Sequence, residues 1–187
     1  MARHDPMHRY IAFLRGINLG KRRVKMDQLR DLFQALNFVN VSTFLASGNV
    51  IFDAAEADAA DLERRIEAHL HAALGYPVDT LLRTPAELAV VAAFRPFAAA
   101  EIEAPGHTLH IGFLRDVPAE AAARKLLSLR TEYDDFHVHG RELYWLCRGR
   151  FSDSLVGWPV VARTIATAST MRNRSTVQKL AAMHPAV

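Results

Sequence analysis

The sequence predicts an α+β protein of two tandem ferredoxin-like halves, each a βαββαβ unit with an antiparallel sheet. Short aromatic and β-branched runs alternate with longer stretches whose apolar residues recur every three or four positions, the periods of strand and helix. The run "TLHIGFL" at 108–114 echoes "RYIAFL" near the start, and the order of elements then repeats. Turn residues punctuate both halves at matching places, Ser47-Gly48-Asn49 in the first and Gly140-Arg141 in the second.

The first half is assigned to residues 1–95. "HRYIAFL" (8–14) reads as a buried strand that stops at Arg15-Gly16. After a Gly/Lys/Arg loop, "KMDQLRDLFQAL" sets Met26, Leu29, Leu32, Phe33 and Leu36 at helical spacing, with Asp27 where the helix dipole favours an acid. "VNVSTFLASGNVIFD" contains two strands about the Ser47-Gly48-Asn49 turn. "DAADLERRIEAHLHAALG" spaces Leu62, Ile66, Leu70 and Leu74 four apart, and Gly75 suits a C-terminal cap. "PVDTLLR" is the fourth strand, and "TPAELAVVAAF" an extra helix with a Thr cap and Pro in its first turn.

Residues 96–107, with two prolines, a glycine and no sustained period, read as a connector. The second half, 108–187, then offers a strand at 108–114, a helix in "PAEAAARKLLSL" and the hairpin "DFHVHGRELYWL". "SDSLVGWPVVAR" suggests a Ser/Asp-capped helix interrupted at Gly157 and Pro159, "IATAST" a weak strand, and "NRSTVQKLAAM" a closing helix.

At 187 residues, half of them hydrophobic, the chain can bury a core without staples. Its formal net charge is only +3, but 19 of its 23 basic side chains are arginine, the planar fork that suits carboxylates and phosphates. Both ends are basic and the middle is acidic, a split that can give a face attractive to polyanions. A lone cysteine, Cys147, excludes an intrachain disulfide and a cysteine-cluster metal site, and its alternation with Leu143 and Trp145 marks a half-buried strand position. No apolar stretch approaches the roughly 18 residues of a membrane span, and the N-terminus lacks a signal-peptide core, so the expectation is a cytoplasmic protein with no membrane partner.

Ferredoxin-like sheets run in the order 4-1-3-2, which sets the loop 15–25 beside the turn 46–48 despite about thirty intervening residues. Arg15, Asn18, Lys21, Arg22, Arg23 and Lys25 then meet Ser47 and Asn49, with Gly16, Gly20 and Gly48 leaving the backbone accessible. Backbone N–H groups and positive side chains so gathered form a plausible cradle for phosphate or carboxylate; a glycine turn with a solvated basic rim is the plainer alternative. The loop "GINLGKR" departs from a Walker motif and G-x-G-x-x-G is absent, so nucleotide hydrolysis has no motif support.

"YIAFLRGINLG", followed by "VKM", "LASGNVIFD", "LLRT" and "TMRNRSTVQKLA", resembles the bacterial family DUF1697 over nearly the whole chain. The resemblance implies a duplicated ferredoxin-like fold and brings no settled activity. Its L-R-G-I-N-x-G-G stretch falls on Leu14 to Lys21, where Lys21 replaces the usual second glycine, and its S-G-N turn on Ser47, Gly48 and Asn49. Its closing T-x-R-N-W-N-T-V-x-K-L falls on Thr170 to Leu180, with Arg174 and Ser175 in place of Trp and Asn. Ligand-binding candidates are therefore Arg15, Gly16, Asn18, Lys21, Lys25, Ser47, Asn49, Arg172 and Asn173, while Lys179 reads as a helix-surface charge.

Other chemistries are weaker. His137 and His139 share a strand face and His107 and His110 flank another strand, yet no carboxylate or cysteine pattern completes a metal site, so neither metal nor cofactor is expected. Ser47 lacks a nucleophile elbow, Asp134-Asp135 and Glu101/Glu103 read as loop charges, and Trp145 and Trp158 as packing residues. Tyr10 and Phe13 fall on opposite faces of strand 1, and Phe52 lacks the RNA-recognition signature. The leading expectation is a protein that binds an anionic small molecule or nucleic acid at the basic edge. An enzyme acting on a small phosphorylated or carboxylated metabolite there, and a protein interaction module, are the alternatives; the sequence assigns no catalytic residue and sets no oligomeric state.

Overall fold

The structure is a computed structural model that describes residues 6–45 and 48–186. Its internal contacts divide the chain into two compact units, one running to Leu88 and taking in the chain from His184, the other spanning Ala89–Met183.

In the first unit the elements are β1 (His8–Arg15), α1 (Met26–Gln34), β2 (Val39–Thr43), β3 (Asn49–Ala54), α2 (Ala59–Leu74) and β4 (Asp79–Arg83). The sheet order is β2-β3-β1-β4, every neighbour antiparallel, which is the 4-1-3-2 order expected from the sequence. Alternate residues Tyr10, Ala12 and Leu14 of β1 join Val50 and Phe52 of β3 in a core with Leu29 and Phe33 of α1 and Leu62, Ile66 and Leu70 of α2. Phe38 stacks on Phe52 at 4.4 Å and Phe33 meets the same ring edge-on at 5.4 Å. The intervening residues Ile11, Phe13, Ile51 and Leu81 are buried as well, so this sheet offers no open aromatic platform for stacking bases.

Helix ends follow the local chemistry. The Asp58 carboxylate accepts from the N–H groups of Ala60 and Asp61 at the start of α2, and Gly75 closes that helix in the left-handed conformation. The helix α3 (Pro85–Ala93) opens with a capping box: the Glu87 N–H donates to Thr84 Oγ1 at 3.2 Å while the Thr84 N–H donates to Glu87 Oε2 at 2.8 Å.

β4 is an edge strand, and its outward N–H groups would be left bare. Two carboxylates one helical turn apart on α2 cover them: Leu82 N–H donates to Glu63 Oε1 and Thr80 N–H to Glu67 Oε1, each at 2.8 Å. The spacings agree because residues two apart on a strand and four apart on a helix lie at similar separations, about 6 to 7 Å.

In the second unit one helical turn, α4 (Ala99–Ile102), lies within the stretch read as a connector, and it anchors through buried Ile102. Then come β5 (Thr108–Leu114), α5 (Glu120–Leu127), β6 (Asp134–His139), β7 (Glu142–Cys147), α6 (Trp158–Ile165), β8 (Ser169–Asn173) and α7 (Arg174–Met183). The order β6-β7-β5-β8 repeats the first sheet. Leu114, Leu143, Trp145 and Cys147 pack with Leu126 of α5 and with Val161 and Ile165 of α6.

Three local expectations need correction. "SDSLVGW" does not begin a long helix: Phe151–Asp153 makes a 3-10 turn, and α6 starts only at Trp158, after Gly157 with φ 70° and with Pro159 in the first turn where no N–H is required. The last strand lies at 169–173 rather than 165–170, because Ala166 takes a left-handed conformation that ends α6 and delays the strand. Asp134 is a buried strand residue rather than a loop charge, accepting from Trp145 Nε1–H at 2.8 Å and from the Cys147 thiol at 3.6 Å.

Replacing Glu63 with Ala strips a buried N–H of its acceptor, and we expect a loss of about 2 kcal/mol in urea unfolding. Glu63→Gln keeps an acceptor oxygen and is expected to lose less.

Candidate functional site

β1 ends at Arg15, and the loop beyond it is built around glycines in conformations that disfavour other residues, Gly16 at φ 81° and Gly20 at φ 59°. The buried Ile17 side chain pins the loop to the core. Asn18 Oδ1 accepts from Val24 N–H at 2.8 Å and closes the loop from inside, while Arg22 N–H donates to Leu19 O at 3.0 Å. Outside, the Arg22 guanidinium lies 4.2 Å from the centre of the Tyr76 ring, whose hydroxyl donates to Ile17 O at 3.3 Å. Arg23 Nη1 donates to the carbonyls of Gly20 and Arg22.

The turn leading into β3 sits against this loop. Leu14 N–H donates to Gly48 O at 2.8 Å, and a Cβ on Gly48 would lie 2.7 Å from Ile17 Cγ2. The predicted convergence of the two stretches is thus present in the described residues; Ser47, the remaining member of the turn, lies outside them.

The structure gives several predicted ligand residues other work. Arg15 donates to Asp79 Oδ2 at 3.1 Å across the β1–β4 pair. Asn49 is fully buried, its Nδ2 donating to Phe44 O at 2.8 Å to close the hairpin, and Asn18 braces the loop as described. Lys21 and Lys25 are exposed and make no ion pair among the described residues. The rim therefore presents two lysines, backed by two arginines held in place on an aromatic ring and on carbonyls.

Arg172 and Asn173 belong to the second unit, on β8. Arg172 is buried, donating to Thr170 Oγ1 at 2.9 Å and Met171 O at 2.7 Å, and burial lowers its guanidinium to about 10, still charged at neutral pH. Asn173 is exposed, stands opposite His110 in the β5–β8 register, and borders a cleft of about 510 Å³ that also takes in Arg150 and Arg174. Sequence reasoning weighed His110 only as a metal ligand and did not single out Arg150. A histidine inside the apolar run "TLHIGFL" was the available signal.

The other histidines weighed as metal ligands, His107, His137 and His139, are engaged in local contacts. His139 stacks on Phe94 at 4.4 Å with His137 at 5.6 Å from the same ring, and His107 Nδ1 lies 2.7 Å from Glu101 O. Among the described residues no group of three or more His, Cys, Asp or Glu is placed to hold a metal ion, and no helix is long and apolar enough to cross a membrane. Cys147 is fully buried, and burial together with the nearby Asp134 carboxylate pushes its thiol up to about 12.

Over residues 7–144 the chain matches the family described as "Protein of unknown function (DUF1697)". The chain belongs to the DUF1697 family. Among solved structures it is similar to the conserved bacterial protein SP0830 from Streptococcus pneumoniae, with a TM-score of 0.75 at 20% identity, covering 97% of this chain and 100% of that one. That likeness shows the fold: two four-stranded antiparallel sheets with helices, in two similar halves. No curated protein matches the chain. The DUF1697 match takes in the whole 15–25 loop and the β3 turn, while Arg172 and Asn173 lie beyond its end.

Gly48→Ala forces a left-handed residue into contact with Ile17, and we expect a loss of about 2 kcal/mol or more in chemical denaturation. Cys147 should stay unreactive toward an aromatic disulfide reagent at pH 8 in the folded protein and titrate fully on unfolding in guanidinium.

Proposed function

We propose that this DUF1697 protein binds phosphate-bearing anions at the rim of the 15–25 loop, with nucleic acid as the ligand class that rim suits. The observation that carries the reading is a braced basic loop. Its backbone is fixed by the Asn18–Val24 hydrogen bond and by the approach of Gly48, so Lys21 and Lys25 extend from a fixed base while Arg22 is held on Tyr76. Cations on a rigid base lose less entropy on contacting an anion than cations on a mobile chain. The rim carries no pattern of base-reading groups, so its contacts would be with the phosphate backbone and independent of sequence.

Arg15, Asn18 and Asn49 have a supporting part in this reading, shaping the loop rather than touching the ligand. Backbone-only recognition by a few cations predicts modest affinity with a strong dependence on salt, since each phosphate contact releases condensed counterions.

Anisotropy of a labelled single-stranded oligonucleotide tests it. Affinity should fall as salt rises from about 50 to 200 mM, and the combined Lys21→Ala, Lys25→Ala variant should flatten the log–log slope by roughly 1 to 1.5. Affinity that does not change with salt, or a double variant with the parent slope, would refute the reading.

A further inference from the structure

We infer that the nucleic acid taken by the 15–25 loop is single-stranded, with unpaired bases lying on the outer side of the Arg22 guanidinium and against Leu19 and Leu45 while Lys21 and Lys25 meet the phosphates. This rests on the reading of the loop as an anion site and adds which form of nucleic acid it accepts.

Arg22 is an exposed residue whose guanidinium is nevertheless held. The guanidinium lies over the Tyr76 ring, 4.2 Å from its centre, and Nη1 stands 3.8 Å from where a Cβ on Gly16 would be. Tyr76 is fixed in turn, packed against the core of the first unit and donating through its hydroxyl to Ile17 O. A guanidinium backed by a ring on one side offers its other side to solvent as a flat, charged surface. Arginine planes are among the surfaces on which unpaired bases stack. A lysine in the same place would supply charge without a plane.

The rim also carries apolar surface that phosphates alone leave unused. Leu19 is 63% exposed and Leu45 is 55% exposed. Leu19 follows closely on the buried Ile17, and Leu45 closely precedes Gly48, so the approach of Gly48 to Ile17 brings both leucines to one rim. Phe44 N–H donates to Asn49 O at 3.0 Å and Asn49 Nδ2 donates to Phe44 O at 2.8 Å, which fixes Leu45 just beyond the end of the β2–β3 hairpin. Leu45 takes φ 60°, a left-handed conformation strained for a residue with a Cβ, and its side chain finds little burial there.

Charge and surface together select the partner. A duplex presents phosphates and sugars outward and keeps its base faces stacked within, so it would leave Leu19, Leu45 and the Arg22 plane without partners. An anionic bilayer would meet the leucines and lysines but has no flat group for that plane. A single strand shows phosphates and apolar base faces side by side, and every base has such a face, so binding needs no particular sequence. Phosphates on the lysines, with bases on Arg22 and the two leucines, engage every exposed feature named on this rim.

Anisotropy of one labelled sequence of about 12 nucleotides, offered to the full chain as a single strand, as a duplex and as an abasic strand, tests this. The single strand should bind at least about fivefold tighter than either of the others. Arg22→Lys, which keeps the charge and removes the plane, and the combined Leu19→Ser, Leu45→Ser variant should each weaken single-strand binding about five- to tenfold. Both should keep abasic-strand binding within about twofold of the parent and keep the parental log–log salt slope. A misfolded variant would lose abasic binding too, and the other variant then decides. Duplex or abasic strand binding as tightly as the single strand, or parental single-strand affinity in either variant, overturns the inference, while a lysine-dependent salt slope leaves the anion reading standing. A flat salt response removes that reading and this inference with it. Weakened binding of the leucine variant to phosphatidylserine vesicles, with its oligonucleotide affinity unchanged, assigns the leucines to a membrane and also overturns the inference.

Discussion

The approach of Gly48 to the corner formed by Leu14 and Ile17 governs the first unit. The antiparallel register pairs Phe13 with Asn49, so Gly48, the residue before β3, comes opposite Leu14 near the end of β1. Only a glycine fits there: a Cβ would lie 2.7 Å from Ile17 Cγ2 and 3.1 Å from Leu14 Cβ, and the backbone has φ 78°. With that contact made, Ile17 and Val24 of "RGINLGKRRVK" are buried, and the charged residues between and beside them stay exposed. The placement of Lys21 and Lys25 thus follows from a packing constraint some thirty residues away in the chain.

The two halves repeat a topology without repeating its surface. After β1 comes a run of basic residues; after the equivalent β5 come Arg115 and Asp116, and Asp116 accepts from Thr167 Oγ1 at 3.2 Å, tying this stretch to the segment before β8. The second half instead gathers its cations where β8 ends, beside the first residues of β5. Since β1 and β5 occupy the same place in their sheets, the basic rim and the cleft lie at opposite ends of equivalent strands. A duplicated scaffold free to vary its loops would produce this pattern, because sheet order and core alternation constrain the strands and leave the connections open.

Much of this was legible in the sequence, for identifiable reasons. Apolar alternation in "RYIAFL" and "TLHIGFL" and the turn residues at Gly48 and Gly140 set strand pairing, and pairing sets which loops meet. What escaped was the part carried by single side-chain hydrogen bonds. Nothing in the spelling of Asn18 or Asn49 tells whether an amide faces a ligand or a backbone group six or five residues away, and both face backbone. The cleft at Asn173 escaped because the weak β propensity of "IATAST" and the polar "TMRN" gave no edge to the last strand. Read three or four residues early, that strand does not bring Asn173 opposite His110, and the two residues that define the cleft stay unrelated.

The core also limits what the surface is left to do. The second unit's reactive groups are turned inward: Cys147 donates to Asp134, Trp145 donates to the same carboxylate, and the thiol's burial removes it from nucleophilic chemistry at physiological pH. His137 and His139 are held against Phe94. In the first unit Glu63 and Glu67 are occupied on the β4 edge, and Asp53 accepts from both Arg9 and Asn40. Carboxylates so engaged are poor general bases, since transferring a proton to them breaks the hydrogen bonds that hold a strand edge or an ion pair.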